Sequence, residues 1–300
     1  MRSYLLAGSF ALAALVAPNA VAAKSGVGLQ PLTEWKVDFT SERCRLSRQF
    51  GTADRPLHLL IDSYGSRQTF RVEFSGNPAP SSNRISGTLS YRLTGDEAFR
   101  EDIAFLRGTS RNGRALWFSM SFLPAELANP DIEEFNSDEY WAMEAQPETV
   151  LPDYEQGVEE ITLRLAPSKT MSLVLGEMSQ PLADLRLCVD GLIKSWGLDP
   201  TQQKGLTRQP IPDTASVAKL QKSYPPEMLK QWRNAFVPIR IMVDVNGAAT
   251  DCVIQRATVD ESFKAAICGN LANRFKPALD ANGNPVASVF YTSVIFTMNS

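Results

Sequence analysis

Ile239-Arg240-Ile241-Met242-Val243-Asp244-Val245-Asn246-Gly247 places Ile239, Ile241, Val243 and Val245 at every second position, with Arg240, Met242 and Asp244 between them, and ends in an Asn-Gly pair. A period of two marks a half-buried strand. Asn-Gly is a strong hairpin signal, because a two-residue type I′ turn needs positive φ at both central positions. The return strand then carries Cys252 and Ile254 on one face and Asp251, Val253 and Gln255 on the other. Ahead of the hairpin, Pro225 and Pro226 suit a first helical turn, where a missing N–H costs nothing. The spacing predicts a helix through Met228, Leu229 and Trp232 to about Asn234. Beyond the hairpin, Asp260 or Ser262 can cap a helix from Phe263 to Phe275. Its apolar stripe is Phe263, Ala266, Ile267, Leu271 and Phe275, and Cys268 lies toward that stripe. If this helix packs on the sheet, the sulfurs of Cys252 and Cys268 can meet. Pro277 stops the helix, and Asn282-Gly283-Asn284-Pro285 makes a turn. A last strand runs from Ser288 to Thr297, with Phe290, Thr292, Val294 and Phe296 on one side.

Four pieces recur here in order: Tyr224-Pro225, Asp244-Val245-Asn246-Gly247, Arg274-Phe275-Lys276-Pro277-Ala278 and Gly283-Asn284-Pro285-Val286. In this arrangement residues 217–300 resemble the TonB C-terminal domain family. The resemblance implies two helices on a small antiparallel sheet. It also implies binding of an extended segment of an outer-membrane transporter, by adding a strand to the sheet's edge. Under that reading the peptide-binding residues are Tyr224, Ser288, Phe290, Thr292, Val294 and Phe296. No cofactor and no nucleic-acid partner is implied. The chain departs from a TonB-type energy transducer in two respects. Its leading apolar segment is short and ends in a cleavable pattern, and a compact cysteine-bearing region stands where a Pro-rich spacer would be.

That leading segment, residues 1–23, reads as a secretory signal. Arg2 is followed by the apolar run Leu5 to Val16 and a small-x-small site, Ala20-Val21-Ala22. The run is shorter than the ~20 residues a bilayer crossing takes. An uncleaved inner-membrane anchor facing the periplasm is the competing reading. Export predicts a periplasmic location, and four cysteines in an exported chain predict two disulfides. Of the three possible pairings we favour Cys44–Cys188 and Cys252–Cys268, one in each half of the molecule. The chain-entropy model assigns the short loop ~3 kcal/mol and the long one ~5 kcal/mol.

Residues 24–200 read as a β-rich domain, 201–216 as a polar linker with Pro210 and Pro212, and 217–300 as the TonB-like domain, giving an α+β protein. Alternating or apolar runs at 35–39, 57–61, 69–74, 85–93, 116–122, 158–165 and 171–175 are separated by Gly, Pro, Asn and Ser. Such spacing favours a sandwich or a strongly curved sheet. Short helices are expected at 96–106 and 124–128. A longer one, Gln180 to Trp196, places Leu182, Leu185, Cys188 or Val189, and Leu192 at helical spacing.

Charge is unevenly placed. Residues 24–216 hold 20 Lys and Arg against 27 Asp and Glu, a net of −7; residues 217–300 hold 9 against 6, a net of +3. From Asp131 to Glu160 there are 11 acidic residues and no basic one. This is either a solvated insertion or a partner surface anchored by Phe135, Tyr140, Trp141 and Tyr154. Catalytic signatures are absent: there is no Gly-x-Ser-x-Gly elbow, phosphate-binding loop or dinucleotide fingerprint. The one histidine, His58, sits in an apolar strand-like run, where a structural role outweighs that of a general base. The cysteines lack metal-ligand spacing. The residues point to a binding protein, with an anchored energy transducer and an unrecognised envelope enzyme as alternatives.

Overall fold

A computed structural model describes residues 28–65, 69–77, 86–128, 140–142, 145, 149–166, 168–221, 223–230, 235–255, 261–270 and 274–296. The expected signal segment and Phe135 lie outside them. The protein is mixed α and β, dominated by a large curled antiparallel sheet. Nine strands build it: β1 (Lys36–Thr40), β2 (Arg43–Thr52), β3 (Arg55–Ser63), β4 (Thr69–Gly76), β5 (Ser86–Leu93), β6 (Arg100–Ser110), β7 (Gly113–Ser121), β8 (Glu160–Ala166) and β9 (Lys169–Val174). Their order across the sheet is β1-β2-β3-β4-β7-β6-β5-β8-β9. The two ends meet. Leu29 pairs in parallel with Leu173 of β9, while Pro31 pairs with Phe50 of β2. Leu29 N donates to Ser172 O at 2.8 Å and Gly51 N donates to Gln30 O at 2.9 Å. The segment entering β1 thus joins β9 to β2.

Alternation explains the interior. Leu46 and Phe50 of β2, Leu57, Leu59 and Ile61 of β3, Val72 and Phe74 of β4, and Leu116 and Phe118 of β7 are all buried in one core. Helix α3 (Ser179–Ser195) adds Leu182, Leu185, Val189, Leu192 and Ile193 to it. The Cys44–Cys188 bond ties this helix to β2. Helices α1 (Ala125–Ala128) and α2 (Pro152–Gly157) precede it.

Two strands differ from expectation. The helix expected at 96–106 is instead the start of β6, because Phe105 belongs to the buried face of the sheet. Strand β2 breaks the simple pattern because Arg48 occupies a position on the apolar face of Cys44, Leu46 and Phe50. Its guanidinium is accommodated by backbone, with Nε donating to Thr33 O and Nη1 to Leu175 O, each at 2.6 Å.

The stretch that reads as a linker carries regular structure. Residues 201–216 form part of α4 (Pro200–Lys204), β10 (Ile211–Pro212) and the start of α5 (Thr214–Gln221). Gln203 is buried, with Nε2 donating to Ala287 O at 3.0 Å and Oε1 accepting from Ser288 Oγ at 2.6 Å. Burying Leu206 and Ile211 fixes a segment whose composition alone reads as flexible.

The remaining elements are α6 (Pro226–Lys230), β11 (Ala235–Val243), β12 (Ala249–Ile254), α7 (Glu261–Asn270), β13 (Phe275–Lys276), β14 (Ala278–Leu279), β15 (Pro285–Val286) and β16 (Ser288–Phe296). Helix α7 is shorter than the stretch expected, and Phe275 pairs with Pro212 in the β10–β13 ladder. The hairpin turn is also corrected. Only Gly247 has positive φ, at 78°. Asp244 Oδ1 accepts from Asn246 N and Ala248 N, both at 2.8 Å, so the side chain shapes a longer turn than type I′.

Candidate peptide-binding edge

Strands β12, β11 and β16 form a three-stranded antiparallel sheet in that order. Strand β11 pairs with β16 from Ala235↔Phe296 to Val243↔Ser288, and with β12 through Ile239↔Ile254 and Ile241↔Cys252. The period-two pattern gives the sheet two different faces. Val237, Ile239, Ile241 and Val243 meet Phe290, Val294, Phe296, Met228, Phe263 and Ile267 in a second core. The Cys252–Cys268 bond closes α7 onto β12 within this layer.

The other face, carrying Phe236, Arg240 and Tyr291, meets the curled sheet and the end of α3. Arg240 is 5% exposed. Its Nε and Nη2 donate to the two carboxylate oxygens of Glu42 at 3.0 and 3.1 Å, and Nη1 donates to Asp251 Oδ2 at 3.1 Å. The guanidinium also lies 4.8 Å from the ring centroid of Trp196. Burial works to lower its pKa, but hydrogen bonding to Glu42 and the two carboxylate charges outweigh this and hold it above the usual value. Arg71 stacks over Phe236 at 3.2 Å. Gly65 lies against the Tyr291 ring so closely that an added Cβ would come within 2.0 Å of Cζ. Gln255 Nε2 donates to the backbone oxygens of Glu42 and Tyr64. None of these contacts is visible as a motif, because Arg240 is separated from Glu42 by 198 residues.

The predicted site residues fall into two groups. Phe290 is 1% exposed, and Val294 and Phe296 are also buried in the second core. Tyr224 packs edge-on to Phe296 and Phe263, with ring centroids 4.9 and 5.9 Å apart. Ser288 is buried on Gln203. These side chains build the sheet's support and do not face an incoming chain. Thr292 is half-buried opposite Ile239. Among the described residues β16 pairs with β11 alone and is the outermost strand of its three-stranded sheet.

The acidic stretch also serves the interior. Trp141 is buried in the second core, its ring 5.5 Å from Phe290 and 5.0 Å from Tyr140. Tyr154 Oη donates to Asp96 Oδ1 at 2.9 Å within the network around buried Arg100. Burial, followed by Asp96, raises the Tyr154 pKa. Two of the aromatics that read as partner anchors, Trp141 and Tyr154, are therefore internal ties.

His58 lies on β3, half-buried, opposite Gln49 and Ser75. Burial lowers its pKa, with Glu73 acting in the opposite sense. Among the described residues no group of three or more His, Cys, Asp and Glu side chains is placed to hold a metal ion. Nor is any helix among them long and apolar enough to cross a membrane. Two disulfides and no free cysteine are the chemistry of an oxidising, exported environment. No family model matches the chain, and neither the curated proteins nor the solved structures contain a match.

Proposed function

We propose that this is an exported cell-envelope binding protein that receives an extended polypeptide segment as an added strand along β16. The observation that carries the reading is the position of Ser288–Phe296. It is a full-length outer strand, braced from behind by a disulfide-closed core and from the other face by the curled sheet. An edge strand leaves alternate N–H and C=O groups unpaired, and an extended guest satisfies them without side-chain chemistry. Bracing on both faces lowers the entropy cost of receiving the guest, because the host strand is already ordered. The resemblance of residues 217–300 to the TonB C-terminal family supports an outer-membrane transporter segment as the guest. The finer architecture of that reading, a separate two-helix domain on a small sheet, rests on the same resemblance.

Isothermal titration of the oxidised, full-length mature chain with N-terminal segments of outer-membrane transporters tests it. Heat of binding, with new amide-exchange protection confined to residues 288–296, is the expected result. Binding that protects β12 or the curled sheet and leaves β16 unprotected removes the proposal, as does the absence of heat with every segment.

A further inference from the structure

A second surface lies along the flank of the curled sheet. A cavity of about 590 Å³ opens between β1 and the first turns of α3. Its floor is Leu46, its strand wall Trp35 and Val37, and its helix wall Gln180, Pro181 and Asp184. Val37 pairs with Leu46 and Phe39 with Cys44, so the side chains of Val37 and Phe39 share the face of the sheet that α3 covers. That cover is incomplete. Phe39 is 58% exposed, and Leu187, one helical turn past Asp184, is 68% exposed. Trp35, Val37 and Phe39 therefore form an apolar row at every second residue, roughly 13 Å long at ~3.3 Å per residue. Outward of that row, among the described residues, β1 pairs with no strand but β2.

The rim is acidic. Glu34, Glu177 and Asp184 line the mouth, with Arg48 as the one cation among the lining residues. Arg48 is already engaged. Nε and Nη1 donate to backbone carbonyls, the guanidinium lies 5.5 Å from the Trp35 ring centroid, and its approach to Glu34 is 3.9 Å. Among the described residues, Glu177 accepts from Ser179 N and Asp184 from the Gln180 side chain, both within α3 and its approach. The mouth thus carries an excess of negative charge beside an apolar track whose repeat is that of an extended chain.

We infer that this groove binds an extended basic polypeptide segment. Its Lys or Arg side chains sit among Glu34, Glu177 and Asp184, and its apolar side chains lie over Val37 and Phe39. The surface is independent of β16, so the molecule has two places to engage extended chains.

The test is fluorescence anisotropy on the oxidised full-length mature chain at low salt. The probe is fluorescein-labelled acetyl-Lys-Val-Lys-Phe-Lys-Val-amide. The matched peptide with Glu for every Lys, and one with Ser for every Val and Phe, are the controls. The Lys peptide is expected to bind, to weaken as salt is added, and to outbind both controls. Reversing two exposed rim charges, Glu34→Lys with Asp184→Lys, is expected to weaken it by roughly tenfold or more. Phe39→Ser is expected to weaken it several-fold. All three positions are solvent-facing, so an unchanged urea midpoint will confirm that the fold is intact. The inference is overturned if the Lys peptide does not bind, if either control peptide binds as tightly, or if the charge-reversed chain binds the Lys peptide as the parent does.

Discussion

Asp244-Val245-Asn246-Gly247-Ala248 and Asp280-Ala281-Asn282-Gly283-Asn284 fold into the same turn. In each, the Asp Oδ1 accepts from the backbone N of the residues two and four positions on, all at 2.8 Å. In each, the Gly N donates to the Asp O at 3.0 Å, and the glycine φ is 78°. Their surroundings differ. A Cβ on Gly283 would meet nothing within 4 Å, whereas a Cβ on Gly247 would lie 2.0 Å from the carbonyl oxygen of Phe275. Gly283→Ala therefore carries only the left-handed backbone penalty, ~1–2 kcal/mol. Gly247→Ala carries that same penalty and must also move the Phe275 backbone by about 1.5 Å to restore ordinary contact. The move disrupts the 2.9 Å bond from Phe275 N to Gly247 O, worth ~1 kcal/mol. It also disturbs the packing of buried Phe275 against Phe290, ~1–3 kcal/mol for a forced shift in a close-packed core. The two variants should thus differ by ~2–4 kcal/mol, with Gly247→Ala the less stable. Urea unfolding of both, compared at equal slope, measures the difference. Midpoints that place the two within ~0.5 kcal/mol of one another would refute the close approach of this turn to Phe275.

Three further outcomes follow from the same structure. Arg240→Ala should destabilise by ~2–4 kcal/mol, below the ~3–5 kcal/mol of a fully buried pair because Glu42 and Asp251 keep some solvent. A double-mutant cycle with Glu42→Gln should give a coupling of ~1–2 kcal/mol, and additivity would mean that this contact does not hold the two layers. Replacing the Cys44–Cys188 pair by serines should cost more than replacing Cys252–Cys268, ~5 against ~3 kcal/mol, because the loop it closes spans 144 residues and the other 16. Equal unfolding midpoints for the two double-serine chains would contradict the loop-length account. His58 should titrate below 6.5 in the native chain, since burial lowers its pKa from that value. The unfolded state then binds the proton more readily, so stability is complete above pH 6.5 and declines as pH falls from there through the folded pKa. The single histidine resonance reads that pKa directly, and His58→Gln should flatten the decline.

Much of the local structure was legible. Alternation marked β3, β4, β5 and β7, helical spacing marked α3, and a period of two marked the strand ahead of Asn246-Gly247, although that strand is buried on both faces rather than half-buried, with Phe236 and Arg240 covered from the side of the curled sheet. The errors have particular causes. Strand β2 escaped because Arg48 stands on its apolar face, satisfied by carbonyls of Thr33 and Leu175 that no local pattern reveals. Segment 201–216 read as a linker because its composition is polar, yet Gln203 is bonded to Ala287 and Ser288 and Leu206 is buried. The regular apolar side chains of β16 that read as peptide-binding, Phe290, Val294 and Phe296, are the ones its own core requires.

What the sequence determined by itself is whatever depends on near neighbours: the strand and helix periods, the Asp-x-Asn-Gly turns, and cysteines set on buried faces where they can pair. Tertiary structure alone decided which strands lie at a margin, how residues 28–32 join β9 to β2, and that Arg240 finds Glu42 across 198 residues of chain. The reason is physical. A period is fixed by the geometry of one backbone, whereas a margin is defined by the absence of a neighbour, and that is settled only when distant segments have chosen one another.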